Sequence, residues 1–241
     1  MTARSRSLAP FAVDLSAFPS AARVASAPTE NRLHPSIIDR GYLCLAPLAE
    51  ILADAIRSRL AGKELRVLDL GCGEKPYAPL LAGQTRLYIG LDLPGPRMAD
   101  VHAGVDLLPF RSSSFDLVLC TQVLEHVPNP QGTVDEARRV LADGGLLLLS
   151  THGVWIKHAD RDYWRWTDAG LMSILRNFRD VQVRECGGQY SALFQIVNLY
   201  ADPLPLGRRA IYFLNNLMGL ALDKIHPAHG LVTNYVVIAT K

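Results

Sequence analysis

The segment Val67-Leu68-Asp69-Leu70-Gly71-Cys72-Gly73-Glu74-Lys75-Pro76-Tyr77 decides the fold. An apolar run ends in an acid and two glycines, and Pro76 marks an expected helix start. Glycine lets the chain turn sharply and lets a ligand approach the main chain closely. In a parallel sheet, ligands sit outside the carboxyl ends of the strands, so this turn is a candidate binding edge. A dinucleotide site wants Gly-x-Gly-x-x-Gly, whose third glycine permits close helix–strand packing; Pro76 stands there instead. Asp69 would repel a pyrophosphate, whereas it suits a ligand that carries an ammonium group.

Short apolar runs of the same kind recur along the chain. Strands are expected at Arg66–Leu70, Leu87–Leu91, Val101–Gly104, Phe115–Cys120, Leu146–Ser150, Val181–Glu185 and Tyr235–Thr240. Runs such as VLDL, LVLC and LLLL are apolar at successive positions, as in strands covered on both faces. Helices are expected between them, among them Gln131–Leu141, closed by Asp143-Gly144-Gly145, and Asp168–Arg176. Ahead of them, Ile37, Ile38, Leu45, Leu48, Ile51, Leu52, Ile56 and Leu60 follow a helical stripe broken at Gly41 and Pro47. Alternating strand and helix predicts a doubly wound α/β domain with a mostly parallel sheet.

Composition agrees and excludes several classes. The 241 residues are 49% hydrophobic and 20% charged, too apolar for a disordered chain or a coiled coil. Residues 1–35 hold four arginines against two acids, so this stretch carries the whole formal net charge of +2. The remainder is neutral, which argues against a nucleic-acid partner. Four cysteines, Cys44, Cys72, Cys120 and Cys186, form no Cys-x-x-Cys pair and read as buried thiols in a cytoplasmic protein. No run reaches the length needed to span a bilayer. Residues 1–35, rich in Ala, Ser, Pro and Arg, read as an arm.

The second expected strand ends in Asp92, which is placed to accept hydrogen bonds from two ribose hydroxyls, with Leu93 beside it. The third leads to Asp106-Leu107, an acid and an apolar residue that suit an adenine amino group and ring; a turn or cap is the other reading of Asp106. In order and spacing, VLDLGCGEKPY (67–77), GLD (90–92), DLLPFRSSSFDLVLCTQVLEHVPNP (106–130) and DEARRVLADGGLLLLSTHG (135–153) resemble the class I S-adenosylmethionine-dependent methyltransferases, close to the small-molecule type 11 branch. The resemblance implies a seven-stranded Rossmann-like sheet whose last strand, Asn234–Lys241, runs antiparallel. It also implies that Asp69, Gly71, Cys72 and Gly73 line the methionine end of S-adenosylmethionine. Asp92 and Leu93 would meet the ribose, Asp106 and Leu107 the adenine, and Thr121 and Gln122 the sulfonium. The expected layout is an arm at 1–35 and a methyltransferase domain at 36–241, with a cofactor core at 65–153 and a helical insertion at 190–230.

Methyl transfer needs an aligned nucleophile and, for a hydroxyl, a base. The candidate bases are His152, just past the fifth strand, and His126, with Glu125 beside it. All three tryptophans fall at 155–166, where Trp155, His158, Tyr163, Trp164, Arg165 and Trp166 mix rings with charges, as suits a small-molecule or glycan acceptor. Similar Asp-Tyr-Trp-Arg-Trp/Tyr-Thr segments occur in bacterial methyltransferases linked to glycan assembly. A loop plugged onto the core is the plainer reading. The pattern His-x5-His-x-Asp lacks the spacing of a compact metal site, so no metal is expected. Of the residues from 190 to 222, 21 of 33 are apolar, and Ile211, Leu214, Leu217, Met218, Ala221, Leu222 and Ile225 share one helical stripe. That face suits packing into its own domain, a cover over the acceptor pocket, a homodimer through 190–225, or peripheral contact with a membrane. A nicotinamide-dependent oxidoreductase and a silent binding domain of the same fold are the rival functions.

Overall fold

The computed structural model describes residues 13–15, 31–95, 98–201 and 207–241. Its elements run α1 (Tyr42–Leu60), β1 (Leu65–Leu70), β2 (Thr85–Asp92), β3 (Val101–His102), β4 (Phe115–Thr121), α2 (Pro130–Val140), β5 (Leu141–His152), α3 (Asp168–Ile174), β6 (Arg179–Glu185), α4 (Gln189–Ala201), α5 (Arg208–Ile225) and β7 (Asn234–Thr240). The seven strands form one sheet in the order β3-β2-β1-β4-β5-β7-β6. Strands β1 to β5 pair in parallel, and β7 runs antiparallel between β5 and β6. The doubly wound α/β sheet expected from the apolar runs is therefore present.

The apolar runs divide residue by residue between two faces, as the two-residue period of a strand requires. Val67, Leu117, Leu119, Leu146, Leu148, Val236 and Ile238 meet Leu48, Leu52 and Ile56 of α1. Their neighbours Leu68, Leu70, Val118, Cys120, Leu147, Leu149 and Val237 meet Val134, Ala137 and Val140 of α2 and Leu171 of α3. Strand β6, at the edge, alternates between half-buried and exposed residues instead. Asn129 caps α2 by accepting from the Gly132 N–H at 3.0 Å, with Pro130 as the first helical residue.

Three expectations need correction, and the orientation of α5 is settled. Helix α1 continues through Pro47, because burial of Leu45, Leu48, Ile51 and Leu52 outweighs the one hydrogen bond that proline removes. No long helix follows Pro76; a single 3-10 turn, Ala78–Leu81, stands there. Asp143-Gly144-Gly145 does not end a helix but lies within β5, where Gly144 has a φ of 76° and the register with β4 shifts between Phe115 and Leu117. In α5 the apolar stripe faces outward. Leu214, Leu217, Met218 and Ile225 are exposed, while Tyr212, Asn216 and Gly219 are buried. Asn216 explains the inversion, since its Nδ2 donates to the carbonyls of Ile37 and Asp39, and its Oδ1 accepts from Asn198 Nδ2. Gly219 lets α5 approach α4, for a Cβ there would lie 3.1 Å from Ser191 Cα.

Of the expected arm, residues 1–12 and 16–30 lie outside the described residues. Val13 donates its N–H to the Pro109 carbonyl at 2.8 Å, and Val13 and Leu15 pack on the core. Among the described residues, no helix is long and apolar enough to cross a membrane.

Candidate functional site

The chain reverses direction across the sheet between β1 and β4, and there the carboxyl ends of both strands open a crevice. A cavity of about 580 Å³ lies in it, within the usual range for small-molecule sites. Gly71, Cys72, Gly73, Glu74 and Pro76 line one part, Thr121 ends β4 with Gln122 just after it, and His126, His152, Trp155, Ile156 and His158 line another.

The glycine loop is held by the neighbouring strand, with the N–H groups of Gly71 and Cys72 both donating to the Leu91 carbonyl. Gly71 has a φ of 63°, and a Cβ there would lie 2.3 Å from Val123 Cγ2, so no side chain fits. Asp92 accepts from the Gly73 N–H at 2.9 Å and from the Leu93 N–H at 2.7 Å, which fixes its carboxylate beside the loop. Asp69 is buried and turned into the sheet, where Tyr88 donates its hydroxyl to Oδ2 at 2.6 Å; burial pushes its pKa up to about 7. Burial pushes the Cys72 thiol up to about 12, so it stays protonated at neutral pH. Gln122 has a φ of 57°, and its Nε2 donates to Asn234 Oδ1 at 2.6 Å. Asp106 and Leu107 sit in an exposed turn, with Leu107 70% accessible, and neither lines the cavity.

Beside the glycine loop, the register Thr121↔Ser150 aligns the ends of β4 and β5, which brings the residues at and after those ends together. Glu125 is fully buried, and its Oε2 accepts from the Thr151 hydroxyl at 2.8 Å. Its Oε1 lies 3.5 Å from His152 Nε2. Burial raises the Glu125 pKa and lowers that of His152 to about 3, so His152 is neutral at physiological pH. The His152 ring stacks on Trp155, with centroids 4.5 Å apart and planes within 9°. His126 and His158 meet through their Nε2 atoms at 3.1 Å. One donor atom from each of Glu125, His152 and His158 lies within 4.8 Å of the others. The separation of these residues in sequence hid that grouping from a spacing argument.

The aromatic segment divides in two. Trp155 and His158 line the cavity, whereas Tyr163, Trp164, Arg165 and Trp166 do not. Trp164 donates its indole N–H to the Val127 carbonyl at 2.8 Å, and Trp166 packs on the core. Arg165 clamps the loop: its guanidinium binds both Asp162 oxygens, at 2.5 and 2.7 Å, and the carbonyls of Trp155, Ile156 and Trp164. The hydrogen bonds from Arg165 hold the Asp162 carboxyl far below the usual carboxylate range.

Several residues that the sequence does not mark as site residues belong here. Arg32, Arg40, Gly41, Cys44, Leu45, Gln195 and Leu199 also line the cavity. Arg32 lay within the presumed arm, where its position just before Pro35 was the one available signal. Lys75 is buried with a φ of 53°, and its Nζ pairs with Asp100 Oδ2 at 2.5 Å behind the loop.

A family model described as a methyltransferase domain matches residues 40–182. A probable S-adenosylmethionine-dependent methyltransferase of Mycolicibacterium smegmatis is 33% identical over 133 residues, which cover 51% of this chain and 50% of that protein. A ubiquinone biosynthesis O-methyltransferase of Xylella fastidiosa is 32% identical over 122 residues, covering 44% and 50%. The chain thus matches about half the length of these curated relatives. Among solved structures, the 1,6-didemethyltoxoflavin-N1-methyltransferase of Burkholderia thailandensis superposes with a TM-score of 0.55 at 18% identity, over 83% of this chain and 80% of that one. The chain belongs to the methyltransferase-domain family, whose fold is that of the S-adenosylmethionine-dependent class I enzymes.

Proposed function

We propose that the chain transfers a methyl group from S-adenosylmethionine to a hydroxyl of a small molecule or glycan. The observation that carries this reading is one cavity lined both by the Gly71–Gly73 loop and by His126, His152, Trp155 and His158. The loop suits the cofactor because Gly71 leaves its main chain bare and Asp92 offers a fixed carboxylate beside it. When bound, S-adenosylmethionine supplies an electrophilic methyl on a positively charged sulfur.

In this reading Gly71, Cys72, Gly73, Thr121 and Gln122 form the cofactor wall, and Asp92 with Leu93 takes the ribose. Asp106 and Leu107, outside the cavity, would hold the adenine. Asp69 acts from behind the loop. Trp155 offers a flat apolar face to the acceptor, and His152 and His126 are the candidate proton acceptors. Residues 36–241 form the catalytic unit, with the α4–α5 pair as an addition to the core at 65–153. The names of the ubiquinone-pathway and toxoflavin relatives, an O- and an N-methyltransferase, support a small-molecule acceptor.

The test is calorimetry with S-adenosylhomocysteine and, separately, NADH, followed by an S-adenosylhomocysteine release assay on a panel of hydroxylated small molecules and glycans. S-adenosylhomocysteine should bind, and His152→Ala should lower turnover without weakening that binding. Tight binding of NADH alone would overturn the reading, and cofactor binding without turnover of any acceptor would favour a silent binding domain.

A further inference from the structure

Two histidine rings in the cavity are each pinned from behind. His126 Nδ1 lies 2.6 Å from the Arg161 carbonyl oxygen, which can only accept, so Nδ1 carries the hydrogen. His158 Nδ1 lies 3.2 Å from Asp162 Oδ2 and 3.4 Å from the Ile156 carbonyl, again acceptors only. With the single hydrogen of an uncharged ring held on Nδ1, each Nε2 turns a bare lone pair toward the cavity, and those two atoms stand 3.1 Å apart. Lone pairs this close repel unless a cation lies against them.

The rest of the surroundings supplies what a cation needs. One donor atom from each of Glu125, His152 and His158 lies within 4.8 Å of the others. Glu125 is fully buried, and its Oε1 has no hydrogen-bond partner but stands 3.5 Å from His152 Nε2. Ligands at 2.0–2.1 Å around a tetrahedral ion lie about 3.3 Å from one another, close to the 3.5 Å between Glu125 Oε1 and His152 Nε2. A carboxylate or carbonyl behind a ligating imidazole is the usual outer support of such a site, and Asp162 and Arg161 provide it.

We propose that Glu125, His152 and His158, with His126 beside them, bind one divalent transition-metal ion of the zinc class. Imidazole and carboxylate donors select that class over the hard, all-oxygen sites of calcium and magnesium. The ion sits at the acceptor end of the cavity, where it polarises a hydroxyl oxygen. That catalytic role rests on the methyl-transfer reading, whereas metal binding itself does not. His152 then serves as a ligand and not as the base.

The 241-residue chain, stripped with a chelator, is titrated with Co(II) and followed by visible absorption and equilibrium dialysis. It should take up one equivalent with the ligand-field band of a tetrahedral site, and Zn(II) should displace it. Asp162→Asn should lower the affinity about 10–100-fold, and His158→Ala by more than that. His158 is exposed, so its variant tests the site without opening the core; Glu125→Gln, which keeps the side-chain volume, is the second test. No uptake, or uptake unchanged in His158→Ala and Glu125→Gln, would overturn the proposal and leave a shared proton between His126 and His158. S-adenosylhomocysteine binding, measured on the same stripped samples, separates the two readings. Binding without Co(II) uptake sinks the metal site alone, and Co(II) uptake without binding sinks the methyl-transfer reading alone.

Discussion

The Nε2 atoms of His126 and His158 face each other across 3.1 Å while an acceptor oxygen stands behind each ring. Free imidazole in water prefers no such pairing; the loop that carries His158 imposes it. Long-range proton–nitrogen NMR of the chelated protein reads the tautomer directly. Both rings should carry their hydrogen on Nδ1. A His126 ring with no hydrogen on Nδ1 would contradict the short contact with the Arg161 carbonyl.

Asp92 ties the end of β2 to the glycine loop through the Gly73 N–H. Asp92→Ala should weaken S-adenosylhomocysteine binding by about 1.5–3 kcal/mol, the usual loss for charge-assisted hydrogen bonds. Calorimetry measures it. Unchanged affinity would refute the ribose assignment.

Gly90 gives passage to a buried cation. A Cβ there would lie 2.5 Å from Lys75 Cε and 2.7 Å from Cys72 Sγ. Lys75 cannot swing aside without leaving Asp100, whose Oδ2 also accepts from the Gly90 N–H at 2.8 Å. Gly90→Ala should destabilise the fold by about 1–3 kcal/mol through overpacking. Urea denaturation gives the shift, and an unaltered midpoint would mean that the loop yields freely.

Asp69 gives the ligand-free protein a pH signature. Burial raises its folded pKa from 3.8 to about 7, so between those values the native state holds a proton that the unfolded chain has released. Stability from this group therefore falls as pH rises through that window and levels off above it. Asp69→Asn keeps an acceptor for the Tyr88 hydroxyl but cannot ionise. Relative to that variant, the wild type should lose stability steadily from pH 4 to about 7, as measured by thermal unfolding. Parallel profiles would show that the Asp69 carboxyl is ionised throughout.

Much of the fold was legible in VLDL, LVLC and LLLL, because a strand covered on both faces shows its burial at every position. The inward face of helix α5 went unread for the opposite reason. That face is defined by Asn216 and Gly219, which give no hydrophobic signal, while Leu214 and Met218 on the outside give a strong one. Periodicity detects apolar residues; it does not detect a carbonyl, such as that of Ile37, waiting for an amide donor.

The site followed the same division. Gly71, Gly73, Thr121 and Gln122 were readable from local motifs and line the cavity. Glu125 and His152 lie 27 residues apart, and only the β4–β5 register brings them within 3.5 Å. Trp164 and Arg165 looked like acceptor contacts because rings and charges suit ligands, yet they serve the loop itself. Residue type alone does not tell a wall of the cavity from the brace behind it.

That brace sets how the acceptor is met. With Arg165 bound to three carbonyls and to Asp162, the segment carrying Trp155 and His158 has few alternative arrangements left before any acceptor arrives. Immobilising a rotamer-rich side chain on association costs about 0.5–1.5 kcal/mol, and a wall already in place spares the complex much of that loss. Discrimination then works by steric rejection at a rigid face, not by closure around whatever enters. Under the proposed function, an acceptor too broad to lie beside Trp155 should be refused, and the range of acceptors should be narrow.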